Sequence, residues 1–279
     1  MNVGFIGTGS MGSLLIESFI ASGALGPAEI AVSNRTHAKA QALADRYPGM
    51  RAEFCNADVA RGADYLFLCV KPHEFINVVR DIKPVLRSSQ VVISITSPVL
   101  VSHLEGELSC KVAKIIPSIT NLVWSGASLC IYGSRVEERD RKEIEALFAH
   151  ISEPLRIEEE YTRIVSDLSS CGPAFIAFLL QQFVEAAVEE TGIPRDDARK
   201  VASNMLLGTA LLLTEGGMTT EDVQRRVAVP GGITAQALKL LERETDGIFN
   251  QVIRTTHNKY QEDLVKVTTL FYGEEVNGQ

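Results

Sequence analysis

The chain of 279 residues has no surplus of positive charge: Lys and Arg total 27 against 35 Asp and Glu, a formal net charge of −8. The deficit runs through both halves, with 16 basic and 19 acidic residues up to Glu160 and 11 and 16 beyond it. Proteins that grip nucleic acid carry a basic footprint, and those held at an anionic bilayer carry a polybasic patch. Neither is here, so no nucleic-acid or membrane partner is expected. Long hydrophobic runs are also lacking. The longest unbroken apolar stretch in a helical pattern is Ala174 to Leu180, well short of the ~20 residues of a membrane span. No basic flank precedes the first apolar residues, so no secretory leader is expected. The five cysteines are an odd number with no C-x-x-C spacing. That speaks against a disulfide framework and for reduced thiols in the cytoplasm. The five histidines are scattered without metal-ligand spacing, so no metal is expected. What remains, 46% hydrophobic and 22% charged, is the balance of a globular protein of one large or two modest domains.

The first half alternates strand and helix. Val3-Gly4-Phe5-Ile6 meets glycines at once, and Leu14, Leu15, Phe19 and Ile20 then recur at helical spacing. Further strands are expected at Ile30 to Val32, Tyr65 to Val70, Val91 to Ile95, Val112 to Ile116 and Ser128 to Tyr132. Helices are expected at Ala38 to Tyr47, Phe75 to Leu86 and Arg141 to Ile151. This alternation implies a parallel sheet covered on both faces. From about Tyr161 strand signals vanish. Ala198, Val201, Ala202, Met205, Leu206, Thr209, Leu212 and Leu213 follow the helical rule, yet Leu207, Ala210 and Leu211 make the other side apolar too. The helix near Pro173 opens with almost no polar face. A helix apolar all round must be covered all round, so these helices are expected to lie in a homo-oligomer interface. The chain divides into domains 1–160 and 161–279.

Gly7-Thr8-Gly9-Ser10-Met11-Gly12 sits after a strand and opens a helix, the context that a dinucleotide fingerprint needs. Gly7 permits the tight turn, Gly9 lets backbone approach a diphosphate, and Gly12 lets helix and strand pack closely. At the end of the second strand, where an NAD enzyme usually has a carboxylate, stands Ser33-Asn34-Arg35-Thr36. A guanidinium there suits a 2′-phosphate, so NADPH is favoured, with NADH possible as a substitute. A third strand ends abruptly at Val70-Lys71-Pro72, placing that backbone beyond the carboxyl ends where ligands bind. In the second half, Pro230-Gly231-Gly232-Ile233-Thr234 precedes a helix. Free N–H groups at a helix start suit a carboxylate. The same residues also suit a plain turn capped by Thr234, and the residues alone leave the two open.

Taken together, these segments resemble the pyrroline-5-carboxylate reductase family along nearly the whole chain. The resemblance rests on Gly7 to Gly12, Ser33 to Thr36, Val70-Lys71-Pro72, Gly172-Pro173-Ala174 and Pro230 to Thr234. The first two motifs also occur in 3-hydroxyisobutyrate-type dehydrogenases. That family needs a lysine on the first long helix after the dinucleotide domain, and no lysine lies between Lys142 and Lys200. The resemblance implies an α/β fold: an N-terminal Rossmann-type dinucleotide-binding domain followed by an all-helical dimerisation domain, as a homodimer or a ring of dimers. It implies NADPH-dependent reduction of the cyclic imine 1-pyrroline-5-carboxylate to proline. Ile6, Gly7, Thr8, Gly9, Ser10, Met11, Gly12, Asn34, Arg35, Asn56, Val70, Lys71 and Pro72 would meet the cofactor. Pro230, Gly231, Gly232 and Ser169 would hold the substrate. Thr234 would hydrogen-bond the ring nitrogen as the catalytic residue.

The substrate side departs from the pattern. The family's Arg-x-Met-Pro-Asn is Lys114-Ile115-Ile116-Pro117-Ser118 here, and its Ser-Gly-Ser-Gly-Pro is Ser169-Ser170-Cys171-Gly172-Pro173. Val229 replaces a serine, and Ile233 replaces a small or hydroxyl residue. The chain is similar here to the late-competence ComER-type branch of the family in spore-forming bacteria. That similarity implies an alternative: a catalytically weak NADP-binding relative with a regulatory role in competence or development.

Overall fold

The computed structural model describes residues 1–273. The chain opens with β1 (Val3–Ile6), α1 (Ser10–Ala21), β2 (Ile30–Ser33), α2 (His37–Arg46), the two-residue β3 (Arg51–Ala52), α3 (Asn56–Gly62) and β4 (Tyr65–Leu68). A 3-10 turn at Pro72–Glu74 leads into α4 (Phe75–Ile82), then β5 (Val91–Ser94), α5 (Val101–Glu107), β6 (Lys111–Ile116), β7 (Ala127–Tyr132), α6 (Glu138–Phe148) and β8 (Glu153–Arg156). The rest is helical: α7 (Thr162–Ser166), α8 (Gly172–Thr191), α9 (Arg195–Thr214), α10 (Thr220–Val227), α11 (Ile233–Thr245) and α12 (Ile248–Tyr272).

The eight strands form one sheet in the order β3-β2-β1-β4-β5-β6-β7-β8. β1 pairs in parallel with β2 on one side and β4 on the other. The direction of sheet growth therefore reverses between β1 and β4, and open sheets of this kind bind ligands beyond the carboxyl ends at that point. The expectation of an all-parallel sheet is corrected at the far edge. β7 runs antiparallel to β6, with β8 parallel to β7. The connection from Pro117 to Gly126 contains only a 3-10 turn, Ile119–Val123. A parallel return needs about a dozen residues or more, usually a helix.

Strands buried on both faces divide the core in two. On one face Phe5 stacks on Phe67 at 4.7 Å and Phe19 meets Phe148 edge-on at 5.3 Å. The other face gathers Ile6, Leu66, Leu68, Phe75, Ile82 and Leu104. α4 shows the logic locally: Phe75, Val78, Val79 and Ile82 are its buried residues, the i, i+3, i+4, i+7 stripe of a helix laid on a sheet.

By compactness the chain forms two units. One is Met1–Gly172 together with the chain from Thr256 onward; the other is Pro173–Thr255. The helical character thus begins near Tyr161, while the sheet-bearing unit continues to Gly172 and takes back α12. Val267 and Phe271 of α12 belong to the second core layer, and Phe271 stacks on His103 at 5.2 Å.

The unit Pro173–Thr255 has almost no interior. Among the described residues only Val184 and Ala198 are buried in it, while Phe178, Phe183, Val201 and Leu207 are exposed. The helical segment Glu159–Thr191 passes a membrane-span test by length and composition alone, as an apolar helix that is covered in a soluble protein also does. Apolar helices on this scale need a cover. Light scattering after size exclusion is expected to return at least twice the 30.4 kDa chain mass; a monomer at micromolar concentration would contradict the interface expectation.

Candidate functional site

The glycine turn after β1 is set by backbone contacts. Gly7 has φ +100°, and a Cβ on it would lie 2.5 Å from the Cys69 carbonyl oxygen. Its N–H donates to the Ser33 carbonyl at 2.8 Å, and the Cys69 N–H donates to the Ile6 carbonyl at 2.8 Å. A side chain on Gly12 would run into the Gly7 carbonyl oxygen. Gly9 differs: a Cβ there meets nothing within 4 Å. It is the N-cap residue of α1, with no side-chain cap and no acidic residue in the first turn. The first N–H groups of a helix have no intrahelical partners, and this end is therefore open to an anion. Thr8 Oγ1 is buried with no hydrogen-bond partner, while the Thr8 N–H donates to Asn34 Oδ1 at 3.2 Å. An open cradle at Gly9 and an orphaned hydroxyl beside it fit a diphosphate.

Ile6, Gly7, Gly9, Asn34, Arg35, Asn56, Val70 and Lys71 line one cavity of about 600 Å³ over the carboxyl ends of β1, β2 and β4. Of the other residues expected at the cofactor, Thr8 is held by Asn34, Gly12 packs under Gly7, and Pro72 begins the 3-10 turn. Ser10 opens α1 exposed, and Met11 packs against the core. The cavity also takes in Lys39, Phe54, Glu74, Asn77 and Asp81, which the sequence reading missed. Asn77 and Asp81, four residues apart, share one face of α4, and that spacing was the available signal. Asn56 is fixed from both sides, accepting from Ser33 Oγ at 2.9 Å and donating to Asp81 at 2.9 Å. Phe54 is 83% exposed, and its ring stacks on His37 at 4.0 Å. Arg35 pairs through Nη1 with Glu74 at 2.7 Å, so a phosphate arriving at Arg35 meets a carboxylate beside it.

In the other unit, Gly231 has φ +75° and closes a turn in which the Gly232 N–H donates to the Val229 carbonyl at 2.9 Å. Pro230 is exposed in that turn. α11 begins at Ile233 with Gly232 as its N-cap and no side-chain cap. This decides one question left by the residues: Thr234 is the second residue of the helix, and its hydroxyl does not cap it. The helix's open donors are the N–H groups of Ile233, Thr234 and Ala235. Ser169, back in the sheet-bearing unit, lies in a π-helical turn, Asp167–Cys171, of a kind that often marks functional sites. Its hydroxyl donates to the Val165 carbonyl at 2.8 Å, and its own carbonyl accepts from Ser118 Oγ at 2.9 Å. Arg163 donates to Asp167 at 2.8 Å and to Cys171 Sγ at 3.2 Å.

Comparison with known proteins gives two family matches. Residues 2–98 match the family described as NADP oxidoreductase coenzyme F420-dependent, and residues 159–263 match pyrroline-5-carboxylate reductase dimerisation. With the glycine turn and the sheet order, these matches define the class: an NAD(P)-dependent oxidoreductase family, with an N-terminal Rossmann-type domain and an all-helical dimerisation domain. The chain is 40% identical to ComE operon protein 4 of Bacillus subtilis, across 98% of this chain and 100% of that protein. It is 31% identical to the pyrroline-5-carboxylate reductase of Methanosarcina acetivorans, across 91% and 95%. The chain belongs to the pyrroline-5-carboxylate reductase family. Among solved structures, a pyrroline-5-carboxylate reductase from Coxiella burnetii is similar with a TM-score of 0.81 and 25% identity, covering 96% of this chain and 98% of that one. The Plasmodium falciparum pyrroline carboxylate reductase with NADP bound shares the fold with a TM-score of 0.80 at 23% identity, over 98% of both chains.

Proposed function

We propose that the chain reduces a cyclic imine, 1-pyrroline-5-carboxylate, to proline with NADPH, as a cytoplasmic homodimer or ring of dimers. In this reading residues 1–160 hold the cofactor and 161–279 serve dimerisation and substrate binding. The observation that carries it is the start of α11, where open N–H donors and an uncommitted Thr234 hydroxyl stand together. The dinucleotide, when bound, supplies the hydride. The N–H groups of the first turn bind the substrate carboxylate, helped by the positive end of the helix. Thr234 Oγ1 accepts from the protonated imine nitrogen, orients the ring and stays bonded as the nitrogen becomes an amine. An imine that arrives protonated needs no strong side-chain acid.

Following NADPH oxidation with pyrroline-5-carboxylate tests this. Thr234→Ser is expected to keep most turnover, and Thr234→Ala to lose about tenfold, the value of one hydrogen bond. Turnover indifferent to Thr234→Ala would remove its assigned role. Arg35 gives a separate test of cofactor choice. Arg35→Ala is expected to weaken NADPH about tenfold and leave NADH unchanged, from the loss of one charge-assisted phosphate contact. Tighter native binding of NADH than NADPH would refute the preference.

A second reading has its own observation. Ser118 Oγ is bonded into the backbone of the π-helical turn, and Ile233 is 92% exposed with no polar group. Each of these two positions thus offers fewer free hydrogen-bonding groups than the residue type that the family pattern has there. Micromolar NADPH binding without turnover would favour an NADP-binding regulatory relative in competence or development, in line with the similarity to ComE operon protein 4.

A further inference from the structure

Among the described residues, two carboxylates line the cavity over the carboxyl ends of β1, β2 and β4, those of Glu74 and Asp81. Asp81 is committed, accepting from Asn56 Nδ2 at 2.9 Å. Glu74 is placed differently. It closes the 3-10 turn Pro72–Glu74 and stands at the N-cap of α4. A carboxylate there can accept from the open N–H groups of its own helix. The Glu74 side chain makes no such cap. It meets Arg35 instead, whose Nη1 donates to Glu74 Oε1 at 2.7 Å. His73 Nε2 lies 3.5 Å from the same oxygen.

This pair does little for the fold. The Arg35 side chain is 86% exposed, and ion pairs open to solvent add little stability. What matters is its place. Arg35 follows β2, the strand whose end carries the ribose-binding carboxylate in NAD enzymes. This chain has a guanidinium there, and Glu74 returns a carboxylate to the same spot from the turn after β4. One point of the cavity wall thus holds both recognition groups: a cation that suits a 2′-phosphate and an anion that suits a 2′-hydroxyl.

We propose that Glu74 sets the cofactor preference: its carboxylate accepts from the ribose hydroxyl of NADH and repels the 2′-phosphate of NADPH, narrowing the margin that Arg35 gives to NADPH. This rests on the cofactor reading above and is independent of the imine. A guanidinium has further N–H groups for a phosphate while Nη1 stays on Glu74, so the two side chains act together without parting.

Titrating the full-length protein with NADPH and with NADH, followed by nicotinamide fluorescence, reads both affinities without turnover. Glu74→Gln keeps the shape and removes the charge. It is expected to tighten NADPH about tenfold, the order set by one charge close to a nearly dianionic phosphate at a surface. It is expected to weaken NADH about threefold, because a neutral acceptor replaces a charged one. The melting temperature of the unliganded chain should not change. The NADPH gain should shrink as salt is raised, because charges open to solvent are screened. Adenosine 2′,5′-bisphosphate, which carries the phosphate and no nicotinamide, should gain as NADPH does. Unchanged NADPH affinity in Glu74→Gln, or both cofactors moving in the same direction, overturns the proposal and leaves the NADPH preference intact. A native chain that binds NADH more tightly, with the two affinities still moving in opposite directions in Glu74→Gln, overturns that preference and supports the proposal. A native chain that binds neither overturns both.

Discussion

Gly9→Asp is expected to fold as the native chain does and to lose its dinucleotide. Nothing in the protein lies within 4 Å of a Cβ at this position, and φ is −75°, so the backbone suits any residue. Aspartate is also a preferred N-cap, where it accepts from the next turn's N–H groups. The unliganded chain should therefore melt at the native temperature or slightly above. The same carboxylate occupies the helix end that the diphosphate needs and repels its charge. NADPH affinity should fall about 100-fold or more, and with it the ~2.7 kcal/mol of stabilisation that ligand at 100 times its Kd confers. Thermal melts with and without NADPH read both effects. Gly12→Val is the contrast: its side chain meets the Gly7 carbonyl, so it should damage the fold itself. A Gly9→Asp protein still stabilised by NADPH would show that the diphosphate binds elsewhere.

Glu159→Ala is expected to destabilise the sheet-bearing unit by about 3 kcal/mol, the typical cost of leaving a buried charge without its partner. Lys114 is wholly buried. Its Nζ lies 2.5 Å from Glu159 Oε1 and donates to the Ser97 carbonyl at 3.2 Å. Glu159 also accepts from the Val101 N–H at 3.0 Å, so it closes the start of α5. Burial holds the Lys114 ammonium below its ordinary pKa, and Glu159 pulls it back up. The sign of the pH effect follows. A lysine whose folded pKa is lowered carries fewer protons folded than unfolded, so stability rises with pH up to the unfolded value. Removing Glu159 lowers the folded pKa further. The deficit of Glu159→Ala against the native chain should therefore shrink as pH climbs from 7 toward the ordinary lysine value of 10.5. Lys114→Met combined with Glu159→Gln removes the charge altogether and should cost less than Glu159→Ala alone. Urea unfolding at two pH values decides the matter; a deficit that grows with pH would contradict it.

How far the fold could be read depended on burial. β1, β4 and β5 are buried at every position, so they appear in the sequence as continuous apolar runs. β8 reads Glu-Pro-Leu-Arg and lies largely exposed at a sheet edge, where pairing with β7 makes a strand of residues that have no strand pattern. β3, of two residues, is too short to show a period. α3 and α5 escaped for the same reason, each having seven residues. The glycine turn was legible because its residues act through backbone geometry at fixed spacing. Glu74 and Phe54 were not, because they enter the cavity through the positions of α4 and of the loop after β3. The reach of Arg35 to Glu74 across 39 positions is a tertiary fact with no local signature.

α12 has a consequence for the order in which the molecule can be made. Its Val267 and Phe271 complete a core layer whose other members begin with Ile6, and Thr268 meets His103 at 3.3 Å. The domain that starts the chain is thus completed by residues synthesised long after its first strand. Until they emerge, Leu104, His103 and their neighbours have no lid, and the nascent chain presents an unfinished apolar face to every protease and chaperone in reach. A premature stop ahead of Val267 would leave the glycine turn and every cofactor residue in place and still expose that core layer.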